Sequence, residues 1–156
     1  MSENVLQKII EQKKIKIEKL KNETDISTLL KNISEQDFFF DFKKKIEKNN
    51  SQNKISVIAE IKKASPSAGE IIKEYNPTEI AKKYAKAGAT CLSVLTEEKN
   101  FKGRIEDIQD IKKEVKLPIL CKDFIYDEYQ LYLARAFGAD AILIILKGIG
   151  EHRAVG

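Results

Sequence analysis

Three ionisable residues stand at the ends of two apolar runs, where they could act on an anionic substrate. The run at residues 57–59 leads into Glu60 and Lys62, and the run at residues 119–121 leads into Lys122. Glu60 and Lys62 are two positions apart, so in a strand their side chains project from the same face. A carboxylate among ammonium groups predicts an anion site in which a partly desolvated lysine transfers protons. The alternative is that these lysines only extend from the strand ends into solvent.

The loop after the first run has residues that suit phosphate binding. It reads KKASPSAGE and contains Ser65, whose hydroxyl, together with nearby backbone N–H groups, could approach a phosphate closely. It matches neither GxGxxG nor GxxxxGK[ST], the two common nucleotide-binding fingerprints. Serine, proline and glycine are also ordinary turn residues, so a simple turn is the alternative for Ser65.

The elements that must position these residues are short apolar runs that alternate with amphipathic segments, as in successive βα units. The predicted strands begin at residues 55, 91, 118 and 141 and read ISVIAEI, CLSVLTE, PILCKDF and AILIILK. Helices are predicted from Pro77, Arg104 and Asp127. Near-continuous apolar strands indicate a parallel sheet that is buried on both faces, and charged strand ends there mark the usual active-site edge. The predicted class is α/β, and without a nucleotide fingerprint a partial TIM (β/α)8 barrel is favoured over an open doubly wound sheet.

Residues 1–54 form an N-terminal helical extension in our prediction, since they contain many lysines but neither glycine nor proline. One helix is predicted over residues 4–21. Another is predicted from Ser34, where Ser34 and Asp37 resemble a loose capping box, into FFFDFKKKIEK, whose phenylalanines are interpreted as packing residues. A polar linker at residues 49–53 then leads to the first half of a barrel, residues 55–146. Residues 147–156 are assigned to a divergent tail.

Composition argues against several classes of protein. No run of about 18 uncharged apolar residues occurs and the N-terminus lacks a signal-peptide core, so we expect a cytoplasmic protein without a membrane partner. Cys91 and Cys121 are too few for a disulfide framework and lack metal-ligand spacing. The net charge is +4, but arginine is scarce and aromatic residues do not interleave with the basic runs. Nucleic acid is therefore not an expected partner.

Four segments, in this order and with these gaps, resemble indole-3-glycerol-phosphate synthase of tryptophan biosynthesis. They are AEIKKASPSAG (59–69), SVLTEEKNFKG (93–103), LPILCKDFIYDEYQ (117–130) and ARAFGADAILII (134–145). The combination of IKKASPS with KDF is highly specific, and the resemblance covers about residues 4–146 because the family also has helices ahead of its barrel. It implies a (β/α)8 barrel that closes the indole ring of 1-(2-carboxyphenylamino)-1-deoxyribulose 5-phosphate, a phosphosugar substrate, and releases CO2 and water. The resemblance implies neither a cofactor nor a metal.

The same resemblance implies roles for the three charged residues. Lys122 would be the general acid that protonates the substrate carbonyl oxygen. Lys62 would hold the departing carboxylate and assist proton transfer during dehydration, and Glu60 would orient and charge Lys62. The division of proton transfer among the three stays open.

The resemblance also implies the residues that surround the substrate. Phe101, Phe124 and Leu143 would form an apolar wall around the anthranilate ring, and Ser65 would contact the phosphate. The alternative for Phe124 and Leu143 is packing inside the barrel.

A complete barrel needs eight strands and about 250 residues, whereas four strands are predicted here. We therefore expect the N-terminal half of such an enzyme, with little activity alone, that self-associates or pairs with a complementary C-terminal half through its open strand edges. One alternative is another phosphosugar barrel enzyme such as phosphoribosylanthranilate isomerase, which would use a carboxylate and a cysteine. The other is a non-catalytic fragment that acts as an interaction module.

Overall fold

The computed structural model describes residues 3–145, which form a parallel four-stranded sheet, one short hairpin and six helices. The sheet contains β1 (Ile58–Ile61), β4 (Cys91–Leu95), β5 (Ile119–Lys122) and β6 (Ala141–Ile142), and the hairpin contains β2 (Ala64–Ser65) and β3 (Gly69–Glu70). The helices that precede the sheet are α1 (Glu3–Glu23), α2 (Ile26–Ser34) and α3 (Phe42–Ser51). The helices that connect its strands are α4 (Pro77–Lys86), α5 (Glu106–Glu114) and α6 (Tyr129–Ala136).

The strands of the sheet are hydrogen-bonded in the order β1-β4-β5-β6, all parallel. Each new strand is therefore added beside the preceding one, with one helix in every crossover. A doubly wound sheet instead reverses its strand order at a switch point. The sequential order confirms the predicted α/β class and the partial TIM-barrel architecture.

One face of the sheet packs against the connecting helices and forms the main core. Buried residues of the strands contact buried residues of α4, α5 and α6 there, among them Ile61, Ala81, Leu92, Val94, Ile108, Ile111, Ile119, Cys121 and Ala134. Because side chains alternate along a strand, Glu60 and Lys122 project from the other face, which would line the interior of a closed barrel.

The N-terminal extension is helical, as predicted, but the helix expected from Ser34 begins only at Phe42, as α3, and α2 was not predicted. Ser34 ends α2 instead of beginning a helix, so the expected capping box at Ser34 and Asp37 is wrong. Two aspartates cap the helices: Asp25 accepts a hydrogen bond from Thr28 N at 2.8 Å, and Asp41 accepts one from Lys44 N at 2.8 Å. An aspartate at N-cap bonds the third helical N–H directly, which neither expected residue does here.

The phenylalanine-rich segment before α3 packs against the barrel half, as interpreted from the sequence. Phe40 N donates to Asp140 Oδ1 at 2.8 Å, and the guanidinium carbon of Arg135 lies 3.0 Å from the ring centroid of Phe39. The helix α3 itself runs to Ser51, through part of the expected polar linker.

All four predicted strands are longer than the observed ones: β4 ends at Leu95 instead of residue 97, and β5 covers residues 119–122 of the predicted 118–124. The first strand covers residues 58–61 of the predicted 55–61, and the last covers only 141–142 of the described part of the predicted 141–147. The hairpin of β2 and β3 was not predicted. The tail at residues 147–156 lies outside the described residues, and the division at residues 54 and 146 stays a prediction.

Candidate active site

Glu60 joins two lysines at the carboxyl end of the sheet. Its Oε1 accepts a hydrogen bond from Lys62 Nζ at 2.7 Å, and its Oε2 accepts one from Lys122 Nζ. Lys62 follows β1 and Lys122 ends β5, so the contact reaches across β4, where Leu95 is the register partner of Lys122. The structure thus brings together the three charged residues that the sequence singled out.

The three side chains are accessible as well as paired. Glu60 is 32% exposed, Lys62 is 31% exposed and Lys122 is 37% exposed. Partial burial is the largest influence on the Glu60 carboxyl and opposes its ionisation. The hydrogen bonds from Lys122 and then Lys62 outweigh it together, so the pKa of Glu60 is lowered. Glu60 is therefore an anion at neutral pH that holds two cations in place.

Two aromatic rings stand together at the same end of the sheet. Phe124 lies two residues beyond Lys122, and Phe101 lies in the loop after β4. Their ring centroids are 6.2 Å apart with an angle of 40° between the planes. Phe124 is buried and Phe101 is half-buried, so the pair forms one apolar surface.

Leu143 and Ser65 occupy different parts of this edge. Leu143 follows β6, is half-buried, and donates its N–H to Cys121 O at 3.3 Å, which keeps it beside β5. Ser65 belongs to the hairpin, where its Oγ accepts a hydrogen bond from Ala68 N at 3.1 Å. That bond is the one expected of a simple turn, and the role of Ser65 toward a phosphate stays a prediction.

Glu97 is an important residue that the sequence analysis passed over. Its buried carboxylate accepts hydrogen bonds from the backbone N–H groups of Asn100 at 2.7 Å and Phe101 at 3.0 Å. The hairpin adds a further bond, from Ala64 N to Phe101 O at 3.2 Å. These bonds fix the loop that carries the Phe101 ring. The feature of the sequence that could have indicated Glu97 is an acidic residue at the end of a buried strand, followed by a short polar loop.

The loop returns over β4 through Gly103, which has no room for a side chain. A Cβ atom on Gly103 would lie 2.1 Å from the carbonyl oxygen of Leu95. Glycine is therefore required for this close approach of two backbone segments.

The two cysteines lie apart from this chemistry. Cys121 Sγ faces Thr96 Oγ1 at 3.4 Å on the core side of β5, and burial raises the pKa of its thiol to about 12. Burial also raises the pKa of the Cys91 thiol to about 11. Such thiols are poor acids or nucleophiles at neutral pH.

Two further properties concern the described part of the chain. Between residues 3 and 145, no group of three or more His, Cys, Asp or Glu side chains could hold a metal ion. None of the helices in this range has the length and hydropathy to cross a membrane.

Residues 6–155 match the family model described as indole-3-glycerol phosphate synthase. The chain belongs to the indole-3-glycerol phosphate synthase family. The match runs past residue 146 and through most of the segment that the sequence analysis assigned to a divergent tail. Family membership decides against the isomerase alternative, in agreement with the buried, weakly acidic cysteines.

Curated relatives carry the same name. An indole-3-glycerol phosphate synthase of Prochlorococcus marinus MIT 9515 is 45% identical over 144 residues, which cover 92% of this chain and 48% of the relative. One of Microcystis aeruginosa is 41% identical over 150 residues, covering 96% of this chain and 50% of the relative. One of Neisseria meningitidis is 54% identical over 98 residues, which cover 63% of this chain and 38% of the relative. The chain spans about half the length of these curated relatives or less.

Proposed function

We propose that this chain supplies the first half of an indole-3-glycerol-phosphate synthase active site, which takes the phosphosugar 1-(2-carboxyphenylamino)-1-deoxyribulose 5-phosphate. The observation that carries the proposal is the Glu60 carboxylate between two accessible ammonium groups, at the same end of the sheet as the paired rings of Phe101 and Phe124. The rings offer an apolar surface to the anthranilate ring. The ammonium groups offer charge and protons to the carboxylate and carbonyl that react.

The first step is ring closure. The anthranilate carbon that bears the carboxylate attacks the ketone carbon, a C–C bond forms, and the carbonyl electrons move to oxygen. Lys122 donates a proton to that oxygen, which becomes a hydroxyl. An ammonium has three N–H donors, and Lys122 gives one of them to Glu60, so two remain for the substrate.

The second stage removes CO2 and then water. The carboxylate leaves as CO2 and its bonding electrons restore the aromatic ring. The new hydroxyl then leaves as water after a second protonation, and the neighbouring CH2 group loses a proton to give the indole. Lys62 holds the carboxylate before it leaves and assists proton transfer in dehydration, while Glu60 keeps Lys62 oriented.

The remaining half of the site requires further strands. Within the described residues β1 and β6 each have one neighbouring strand, so each has an open edge. We propose that a C-terminal half-barrel covers these edges, and that the 156 residues produced alone self-associate through them. The 156 residues alone are then expected to have little or no turnover.

The test compares two proteins by the fluorescence of indoleglycerol phosphate. One is this 156-residue chain, and the other, the fusion enzyme, joins it to the C-terminal half of the relative from Prochlorococcus marinus MIT 9515. We expect turnover from the fusion enzyme and little from the chain alone, and sedimentation should show self-association of the chain only. A folded fusion enzyme without turnover would contradict the proposed function. Equal turnover by both proteins would contradict the half-site.

A further inference from the structure

The helix α1 is tied by ion pairs to the loops at the carboxyl ends of β4 and β5. Lys16 Nζ bonds Glu98, which follows β4, and Lys21 Nζ bonds Asp127 Oδ2 at 2.8 Å. Lys13 Nζ bonds Asp123 Oδ2 at 2.7 Å. These loops carry Phe101 and Phe124, so one N-terminal helix contacts both segments that form the aromatic surface.

The pair of Lys13 and Asp123 differs from the others in its burial. The two side chains are 9% and 10% exposed, and a lysine is almost never this buried unless it is paired. Asp123 Oδ2 also accepts a hydrogen bond from Thr96 Oγ1 at 2.9 Å, and Oδ1 accepts one from the N–H of Phe124 at 2.7 Å. The carboxylate is thereby fixed from the helix, from the end of β4 and from its own loop.

Asp123 follows β5 directly and stands between two residues that the proposed reaction uses. Its neighbours in sequence are Lys122, the proposed general acid, and Phe124, whose backbone N–H it accepts. We infer that Lys13 is a positioning residue: through Asp123 it sets the backbone at the end of β5, and hence the placement of the Lys122 ammonium and the Phe124 ring. The expected effect of Lys13 on the rate rests on the proposed function, whereas its expected effect on the geometry at the end of β5 does not.

The rival explanation is that Lys13 only fastens α1 to the rest of the molecule. Apolar and hydrogen-bonded contacts already do this elsewhere on the helix. Ile17 packs with Leu29 and Tyr129 in a buried cluster, and the Tyr129 hydroxyl donates to Leu20 O at 3.1 Å or Thr24 O at 2.8 Å. A substitution at Lys13 should therefore disturb the end of β5 while α1 stays docked.

The experiment uses Lys13→Met in the fusion enzyme labelled with 4-fluorophenylalanine, with the resonances of Phe101 and Phe124 assigned by Phe→Leu variants. Methionine keeps the length of the side chain and removes its charge. The control is Lys19→Met, which removes the same charge from an α1 lysine that is 77% exposed. We expect Lys13→Met to move the Phe124 resonance toward its position in the urea-unfolded protein and Lys19→Met to leave it in place.

Activity supplies the second readout, measured well below the unfolding temperature of each variant. A displacement of about 1 Å at a reacting group can cost about a hundredfold in rate, so we expect kcat/KM to fall about ten- to a hundredfold in Lys13→Met. Lys13→Arg, which keeps the charge, should restore most of it. Lys13→Gln is the substitute if the methionine variant does not fold.

The two possible failures are distinct. An unmoved Phe124 resonance in the folded variant would overturn the positioning role, whatever the rate. A moved resonance with unchanged kcat/KM would also overturn it, since the shift would then have no consequence for the site. A fusion enzyme that has no turnover before any substitution would instead contradict the proposed function, and the resonance would still test what Lys13 does to the end of β5.

Discussion

Glu60 at the carboxyl edge of the sheet and Asp107 in the helical layer behind it have carboxyl groups in opposite environments. At the edge, Glu60 is one-third exposed, meets two ammonium groups and has a lowered pKa. In the helical layer, Asp107 of α5 is 5% exposed, and burial, the largest influence on it, raises its pKa. The Glu60 carboxylate is therefore accessible and stabilised as an anion by two cations, whereas burial disfavours the anionic form of the Asp107 carboxylate.

One lysine near each end of β5 allows the carboxyl edge to be compared with the opposite edge of the sheet. Lys122→Met in the fusion enzyme should lower kcat about 10²- to 10⁴-fold, because a positioned general acid contributes that much. Lys116, which is exposed and precedes β5, provides the matched control, and Lys116→Met should leave kcat unchanged. Steady-state fluorescence kinetics measure both. If the two variants lose rate equally, the carboxyl edge has no special role.

A second substitution pair compares burial within the edge itself. Asp123→Asn leaves the Lys13 ammonium buried without its anion, and breaking such a pair destabilises a protein by about 3 kcal/mol. Glu60→Gln breaks pairs that are a third exposed, so solvent screening limits the loss to less than about 1 kcal/mol. Urea denaturation of the fusion enzyme compares the two. A greater loss from Glu60→Gln would reverse our ranking of these sites.

One added methyl group at Gly103 should destabilise the loop that carries Phe101. Gly103→Ala forces a Cβ onto the Leu95 carbonyl, and overpacking of this kind costs about 1–3 kcal/mol. The control is Gly69→Ala, where φ is 66° but no atom lies within 4 Å of the new methyl, so only backbone strain is added. Urea midpoints and KM should both change more in Gly103→Ala. Equal changes in the two variants would mean that the contact between the new methyl group and the Leu95 carbonyl does not destabilise the loop.

The sequence predicted the parts of this edge that depend on local pattern. The period of two residues placed Glu60 and Lys62 on one face, and the apolar run ahead of Lys122 placed it at a strand end. Two-residue strands such as those of the hairpin give too short a pattern to detect. The pair of Lys13 and Asp123 joins residues 110 positions apart, and nothing local distinguishes Lys13 from the other lysines of α1. The role of Glu97 was not predicted because an acidic residue at a strand end does not by itself show that its carboxylate accepts backbone N–H groups.

The smallest expected effect concerns pH and the contrast between Glu60 and Asp107. A carboxyl whose pKa is raised by folding loses its proton first in the unfolded state, so its contribution to stability falls as pH rises through the unfolded pKa, about 3.9, and levels off above the folded pKa. Asp107→Asn removes that loss. The free energy of unfolding of the variant minus that of the parent fusion enzyme should therefore be larger at pH 7 than at pH 4. For Glu60 the sign is reversed.

Glu60 has a lowered pKa, so its stabilising contribution is present above the unfolded pKa of about 4.3 and is lost as pH falls through the folded pKa. We call the difference in free energy of unfolding between a variant and the parent its gap. At pH 7 Glu60→Gln should be less stable than the parent and Asp107→Asn more stable, and both gaps should shrink toward acid pH. Urea denaturation at several pH values between 3 and 7 measures both gaps. Two gaps of the same sign would mean that the carboxyl edge and the helical layer do not differ in how they hold charge.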